Sequence, residues 1–134
     1  MTRPPRDLLV VVLVVAHPCG LSECRADDGA LGGRDYTAGV SRELLDAVQL
    51  AAVKAELPDW EVTADALRRV LHFGDFVSAF SFMTAVALHA ERLDHHPEWS
   101  NVYGMVEVRL TTHDAGGVTR LDVQLASVMN ALAP

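Results

Sequence analysis

Positive charge is scarce in this chain: 11 Lys and Arg stand against 18 Asp and Glu, for a formal net charge of −7. Direct grip on nucleic acid needs a basic face that displaces counterions, so such binding is not expected. A protein partner that itself binds DNA is not excluded by charge. Cysteine is scarcer still, with only Cys19 and Cys24 in 134 residues. Two cysteines cannot complete a four-ligand zinc module, and free thiols are the expected state. Long apolar runs are also missing. The stretch from Leu8 to Ala16 falls well short of the roughly 18–20 residues that span a bilayer. It follows Arg3 and Arg6, as a secretory signal would, but no clean small-x-small cleavage site comes after it. A cytoplasmic, non-membrane protein is therefore expected, with a targeting signal as the less favoured reading.

What is present suits one domain with one core: half of the residues are hydrophobic and 22% are charged. Residues 1–39 differ from the rest, passing from the apolar run through His17-Pro18-Cys19 into a Gly-rich polar stretch. We expect residues 1–39 to be an extension of open role and residues 40–134 to form the domain. Ser41 is a plausible N-cap, followed at helical spacing by Leu44, Leu45, Val48, Ala51, Ala52 and Ala55 until Pro58 stops the helix. Trp60–Val62 reads as a short strand and Leu67–Phe73 as an imperfectly alternating one. Asp75 can cap a longer helix, Phe76–Leu93, with Phe76, Phe80, Met83, Ala87 and Ala90 on one stripe. Val77, Phe82, Val86 and Leu88 widen that surface, so this helix is expected to be buried on more than one side, including a subunit interface. Thr119 with Asp122 forms a capping-box variant for a last helix carrying Leu121, Leu125, Val128, Met129 and Leu132. Helix, two strands, helix, strands, helix is an α+β order.

Three of the six histidines fall between Glu91 and His113: His95 and His96, within Asp94-His95-His96-Pro97, and His113, after Thr111-Thr112. Imidazole titrates near neutrality, with an unperturbed pKa of about 6.5, so such a cluster points to proton transfer or to a metal. The segment between them decides whether they meet. One continuous strand would hold His95 and His113 more than about 30 Å apart. A hairpin turning at Asn101–Gly104 would instead set the His-His-Pro segment opposite Thr-Thr-His, with Val106, Val108 and Leu110 towards the helices. The hairpin is the expected form. Taken singly, His95 or His96 could merely end a helix, Glu91 could be a solvated residue, and Asp122 could be only a cap. His17, His72 and His89 have no such surroundings and read as structural or surface residues. Adjacent histidines rarely point both rings at one ion, and no HExxH spacing is present. Metal-free acid/base chemistry needs only two imidazoles flanking a substrate and a carboxylate tuning one of them. The pattern favours the latter.

From Phe80-x-Phe82-Met83-Thr84 through Ala90-Glu91-x-Leu93-Asp94-His95-His96-Pro97-Glu98-Trp99-x-Asn101-Val102-Tyr103, with Thr112-His113 and Asp122 beyond, the chain resembles the pterin-4a-carbinolamine dehydratases. The resemblance covers roughly residues 41–134 and is strongest to animal-type members, also called dimerization cofactors of hepatocyte nuclear factor 1. It implies a four-stranded antiparallel sheet with three helices on one face. It further implies dehydration of 4a-hydroxytetrahydrobiopterin to quinonoid dihydrobiopterin, which recycles the pterin of aromatic amino acid hydroxylases, with no cofactor and no metal. His95, His96 and His113 are then the candidate catalytic residues, His96 and His113 foremost. Asp94, His95, His96, Thr111, Thr112, His113 and Asp114 would contact the pterin, with Glu91, Trp60 and Asp122 in support. The resemblance also implies a homodimer or homotetramer through the Phe76–Leu93 helix and a sheet edge. The alternative it raises is a non-catalytic coactivator of a homeodomain transcription factor, which would add a nuclear location. Leu121 stands where animal members carry Arg, Ala115 replaces a Cys, and the first hairpin is shorter.

Overall fold

The computed structural model describes residues 41–134. Cys19, Cys24, His17, the apolar run and the expected 1–39 extension lie outside the described residues. Seven elements follow one another: α1 (Ala47–Glu56), β1 (Glu61–Val62), β2 (Leu67–His72), α2 (Phe76–Leu93), β3 (Glu98–Val102), β4 (Met105–Leu110) and α3 (Arg120–Leu132). The strands form one antiparallel sheet in the order β1-β2-β4-β3. This is the expected α-β-β-α-β-β-α architecture of the α+β class.

Alternation along the strands sorts the sheet into two faces. Leu67 and Leu71 of β2 pair with Leu110 and Val106 of β4, and all four are buried. They join Val53 of α1, Phe82, Met83 and Val86 of α2, and Leu125, Ala126 and Met129 of α3 in one core. The helices thus cover this face. The other face carries Arg68, Val70 and His72 opposite Arg109, Glu107 and Met105. It stays open.

The expected hairpin is present, running from Glu98↔Arg109 to Val102↔Met105. Its left-handed residue is Tyr103, at φ 51°, and not the glycine. Gly104 is needed for a different reason: a Cβ there would overlap the Phe73 carbonyl oxygen, and the Phe73 N–H donates to the Gly104 oxygen at 2.7 Å. Asn101 secures the turn, its Nδ2 donating to the oxygens of Tyr103 and Met105 at 2.9 Å each.

Three helix expectations need correction. The first helix starts at Asp46, and Ser41 is not its cap. Asp46 accepts from the Gln49 N–H at 2.8 Å while Gln49 accepts from the Asp46 N–H at 2.9 Å, a reciprocal capping box. Leu45 cannot join the helix because its N–H donates to Val118 at 2.9 Å. With that start the buried face passes through Val53 and then Leu57, whereas Val48 is 79% exposed and Ala51, Ala52 and Ala55 face solvent. In α2 the ends are as expected, with Asp75 accepting from the Ser78 N–H at 2.7 Å. Its core stripe, however, is Ala79, Phe82, Met83, Val86, Ala90 and Leu93. Phe76 and Phe80 stack on the outside with ring centroids 5.6 Å apart, beside exposed Val77 and Leu88. In α3, Leu132 is 40% exposed and Val128 half-buried, while Asp122 and Val123 are buried in their place. No helix among the described residues is long and apolar enough to cross a membrane.

Candidate active site

The site begins where α2 ends. Asp94 adopts a left-handed conformation (φ 46°, ψ 43°), the usual way a chain leaves a helix, here without a glycine. This lets the His95 N–H donate back to Ala90 at 3.1 Å. The reversal sends His95 inward, where it is 6% exposed, and leaves the His96 side chain 40% exposed.

The inner half of the site is centred on Asp122, in the first turn of α3 and fully buried. Its Oδ1 accepts from His95 Nε2 at 2.8 Å. Its Oδ2 accepts from the Thr119 N–H at 2.7 Å and from the Thr112 hydroxyl at 2.8 Å. Because Thr112 spends its proton there, the 2.7 Å contact between the two threonine hydroxyls must have Thr119 donating. A buried carboxylate without partners would be very costly, and this one is fully hydrogen-bonded. The capping role and the site role of Asp122 therefore coincide: one oxygen serves the helix start, the other the histidine.

The outer half holds His96 and His113. His96 Nε2 lies 3.2 Å from Glu91 Oε2, one turn back on α2. His113 Nε2 lies 2.9 Å from Glu98 Oε1 on β3. A carboxylate only accepts, so in the two hydrogen-bonded pairs, His95–Asp122 and His96–Glu91, Nε2 carries the hydrogen, while His113 Nε2 faces Glu98 as an ion-pair contact. The imidazoles face three different carboxylates and not a common centre. Among the described residues no group of three or more His, Cys, Asp or Glu side chains is arranged to hold a metal ion.

Several further charges frame the outer half, and the sequence reading had given none of them a role. Arg109, paired with Glu98 across the hairpin, reaches both Glu98 oxygens at 2.9 Å and both Asp65 oxygens at 3.1 Å. Burial works against the Arg109 charge, but the hydrogen bonds to Glu98 and Asp65 outweigh it and raise its pKa. Hydrogen bonds from Arg109 and then Arg68 hold the Asp65 carboxyl below its ordinary value of 3.8. Arg42 joins the two expected substrate-contacting segments, 3.1 Å from Asp94 and 3.9 Å from Asp114. The Glu98–Arg109 pair was discoverable, since the hairpin register that aligns the histidines also aligns these opposite charges.

The remaining candidates sort as follows. Thr111 is buried and donates to the Asp65 carbonyl oxygen at 2.8 Å. Glu91, Asp94 and Asp114 are exposed. Trp60 joins the core, its Nε1–H donating at 2.8 Å to Asn130, two turns along α3 from Asp122. A cleft of about 580 Å³ lies on the sheet's open face, lined among others by Arg68, Glu98, Glu107 and Arg109. It contains none of the histidines. Much of its charge is internally paired, as in Arg109–Glu98 and Arg69–Asp59.

Fold and site together define an α+β protein in which a helix end and a hairpin bring three carboxylate-paired histidines into one region. The family follows from comparison with known proteins. The profile of the pterin 4 alpha carbinolamine dehydratase family matches residues 43–132, and the chain belongs to that family. A Mesorhizobium japonicum protein, named as a candidate pterin-4-alpha-carbinolamine dehydratase, is 53% identical over 68% of this chain and 95% of its own length. A Prochlorococcus marinus protein of the same designation is 47% identical over 66% of this chain and 93% of its own. The crystal structure of a transcriptional coactivator/pterin dehydratase from Brucella melitensis superposes with a TM-score of 0.65 at 43% identity, covering 67% of this chain and 98% of that one. These relatives are bacterial, one of them cyanobacterial, and the expected animal-type affinity is corrected accordingly. Leu121 is 2% exposed, a place where an arginine would bury its charge.

Proposed function

We propose that this protein dehydrates a 4a-hydroxytetrahydropterin, 4a-hydroxytetrahydrobiopterin in the first instance, to the quinonoid dihydropterin and water. It is a hydro-lyase of the pterin-4a-carbinolamine dehydratase type, and its product would return to the cofactor cycle of aromatic amino acid hydroxylases. The C4a–O bond breaks as the hydroxyl takes a proton and leaves as water. The N5–H proton goes to a second group, and its electron pair forms the C4a=N5 bond. No net proton is consumed.

One observation carries this reading: three imidazoles gathered by the hairpin and Asp122, each with Nε2 facing its own carboxylate. Acid and base must both work near neutrality, which imidazole does. His96 and His113, the solvent-facing pair, exchange protons with the substrate. His95, buried against Asp122, supports the inner wall. Asp94, Thr111, Thr112 and Asp114 flank the same region and would contact the pterin, while Trp60 serves chiefly through packing. Assembly as a dimer or tetramer would use a sheet edge and the outward Phe76, Val77, Phe80 and Leu88 surface of α2.

The test is the dehydration rate of 4a-hydroxytetrahydropterin with the purified protein. His96→Ala and His113→Ala are each expected to slow it by about 10²–10⁴-fold. Unchanged rates in both variants would sink the assignment, as would a wild-type rate equal to buffer. The same α2 surface favours a second reading, a coactivator that binds a homeodomain transcription factor. That reading predicts binding which Phe80→Glu or Leu88→Glu abolishes while dehydration continues.

A further inference from the structure

We propose that Glu98 is a positioning residue for His113, and that Arg109, anchored by Asp65, holds Glu98 in place for that task. The inference rests on the acid/base reading above, since it specifies how one histidine of that reading is aimed.

His113 is the most exposed of the three imidazoles, with its side chain 64% accessible. Its backbone is set by a tight turn in which Ala115 and Gly116 donate to the Thr112 oxygen at 3.1 and 2.9 Å. That turn leaves the ring torsions free. The contact that selects a ring orientation is the 2.9 Å ion-pair approach of Nε2 to Glu98 Oε1. Glu98 is itself restrained. It sits directly across the hairpin from Arg109, whose Nη1 bridges both carboxylate oxygens at 2.9 Å. The other arm of the same guanidinium grips both oxygens of Asp65 at 3.1 Å. Asp65 is held in turn by Arg68 at 2.8 Å.

The result is a chain of alternating charge running from the open face of the sheet to the imidazole. A guanidinium spans the two carboxylates with separate nitrogens, Nη1 to Glu98 and Nη2 to Asp65, which the single ammonium of a lysine at that position could not do. With Nε2 turned towards Glu98, the ring edge that His113 presents to substrate is the one bearing Nδ1. Removing Glu98 leaves His113 in place but unaimed, and loss of aim costs rate more than affinity.

The experiment uses the full-length protein. Glu98→Ala is expected to lower kcat by roughly tenfold with KM within about twofold. Glu98→Gln, which keeps one oxygen able to face Nε2 but loses the charge, restores part of the loss. On a His113→Ala background, Glu98→Ala costs nothing further, because its effect passes through that ring. A readout independent of activity accompanies these assays: the Hε1 and Hδ2 resonances of His113 shift in Glu98→Ala and in Arg109→Ala. Glu107→Ala, on the same face of β4, changes neither rate nor resonances. Additive losses in the double variant, or His113 resonances that ignore Glu98, overturn the proposal. Resonances that respond in a protein without dehydratase activity uphold the tether and reject the reaction assigned to it.

Discussion

The inner and outer halves of the histidine site come from the same two segments but are built on opposite principles. Around Asp122, every polar group is buried and its partners are protein groups: His95, Thr112 and Thr119. Around His96 and His113, the partners are exposed Glu91 and half-buried Glu98, and the rings stay 40% and 64% accessible. A buried polar network is costly to leave half-satisfied, so it specifies one arrangement. Exposed ion pairs contribute only about 0–1 kcal/mol each, so these contacts orient the rings without adding much to the stability of the fold. The inner half keeps the region's shape, and the outer half is where the proposed proton exchange would take place.

The sharpest way to break this contrast is Asp122→Ala. It strands the Thr119 N–H, the Thr112 hydroxyl and buried His95 together, and should cost about 3–5 kcal/mol in urea unfolding as well as activity. A stable, active Asp122→Ala protein would mean the inner half is not structural. His96→Ala and His113→Ala probe the other side. Their rate losses should come with stability changes within about 0.5 kcal/mol, as for exposed positions in general. A smaller effect is expected from Thr112→Val, which keeps shape but removes one donor to Asp122, at about 1–3 kcal/mol. Thermal unfolding measures it against Thr111→Val, which loses a single bond to a carbonyl oxygen.

The smallest effect concerns acid. Hydrogen bonds from Arg109 and then Arg68 lower the folded-state pKa of Asp65 from its ordinary 3.8. Folding therefore favours the ionised form. The stability this contributes is complete above the unfolded value and disappears as pH falls through the lower folded one. The stability gap between wild type and Asp65→Asn should accordingly shrink as pH drops below 3.8. A gap that widens with acid would show that Asp65 is not held by Arg109.

Much of the architecture could be read from local patterns. Asp75 before an apolar-periodic run and Thr119 three residues before Asp122 marked two helix starts at their observed places. Asn101 and Gly104 marked the turn that aligns the histidine segments. The start of α1 was placed too early at Ser41, although Asp46 with Gln49 three residues on forms a capping box visible in the sequence. The choice falls to Asp46 because Leu45 is tied to Val118, far along the chain. The inner face of α2 was misjudged for a related reason. A helix apolar on two sides offers two stripes, and only the neighbours decide which one enters the core. In the candidate site, the histidines and Asp122 were legible as residue types. Glu98 and Arg109 were not singled out, because a Glu and an Arg on a strand ordinarily read as solvated surface.

By itself, then, the sequence determined the element order, three of the turn and cap positions, and the residue types suited to proton transfer. These depend on hydrogen bonds and periodicities that close within a few residues. Tertiary structure alone decided which carboxylate holds which imidazole, which histidine is buried, and which face of α2 looks outward. Such outcomes rest on contacts like His95 to Asp122, 27 residues apart, whose energies exist only once the sheet and helices have packed.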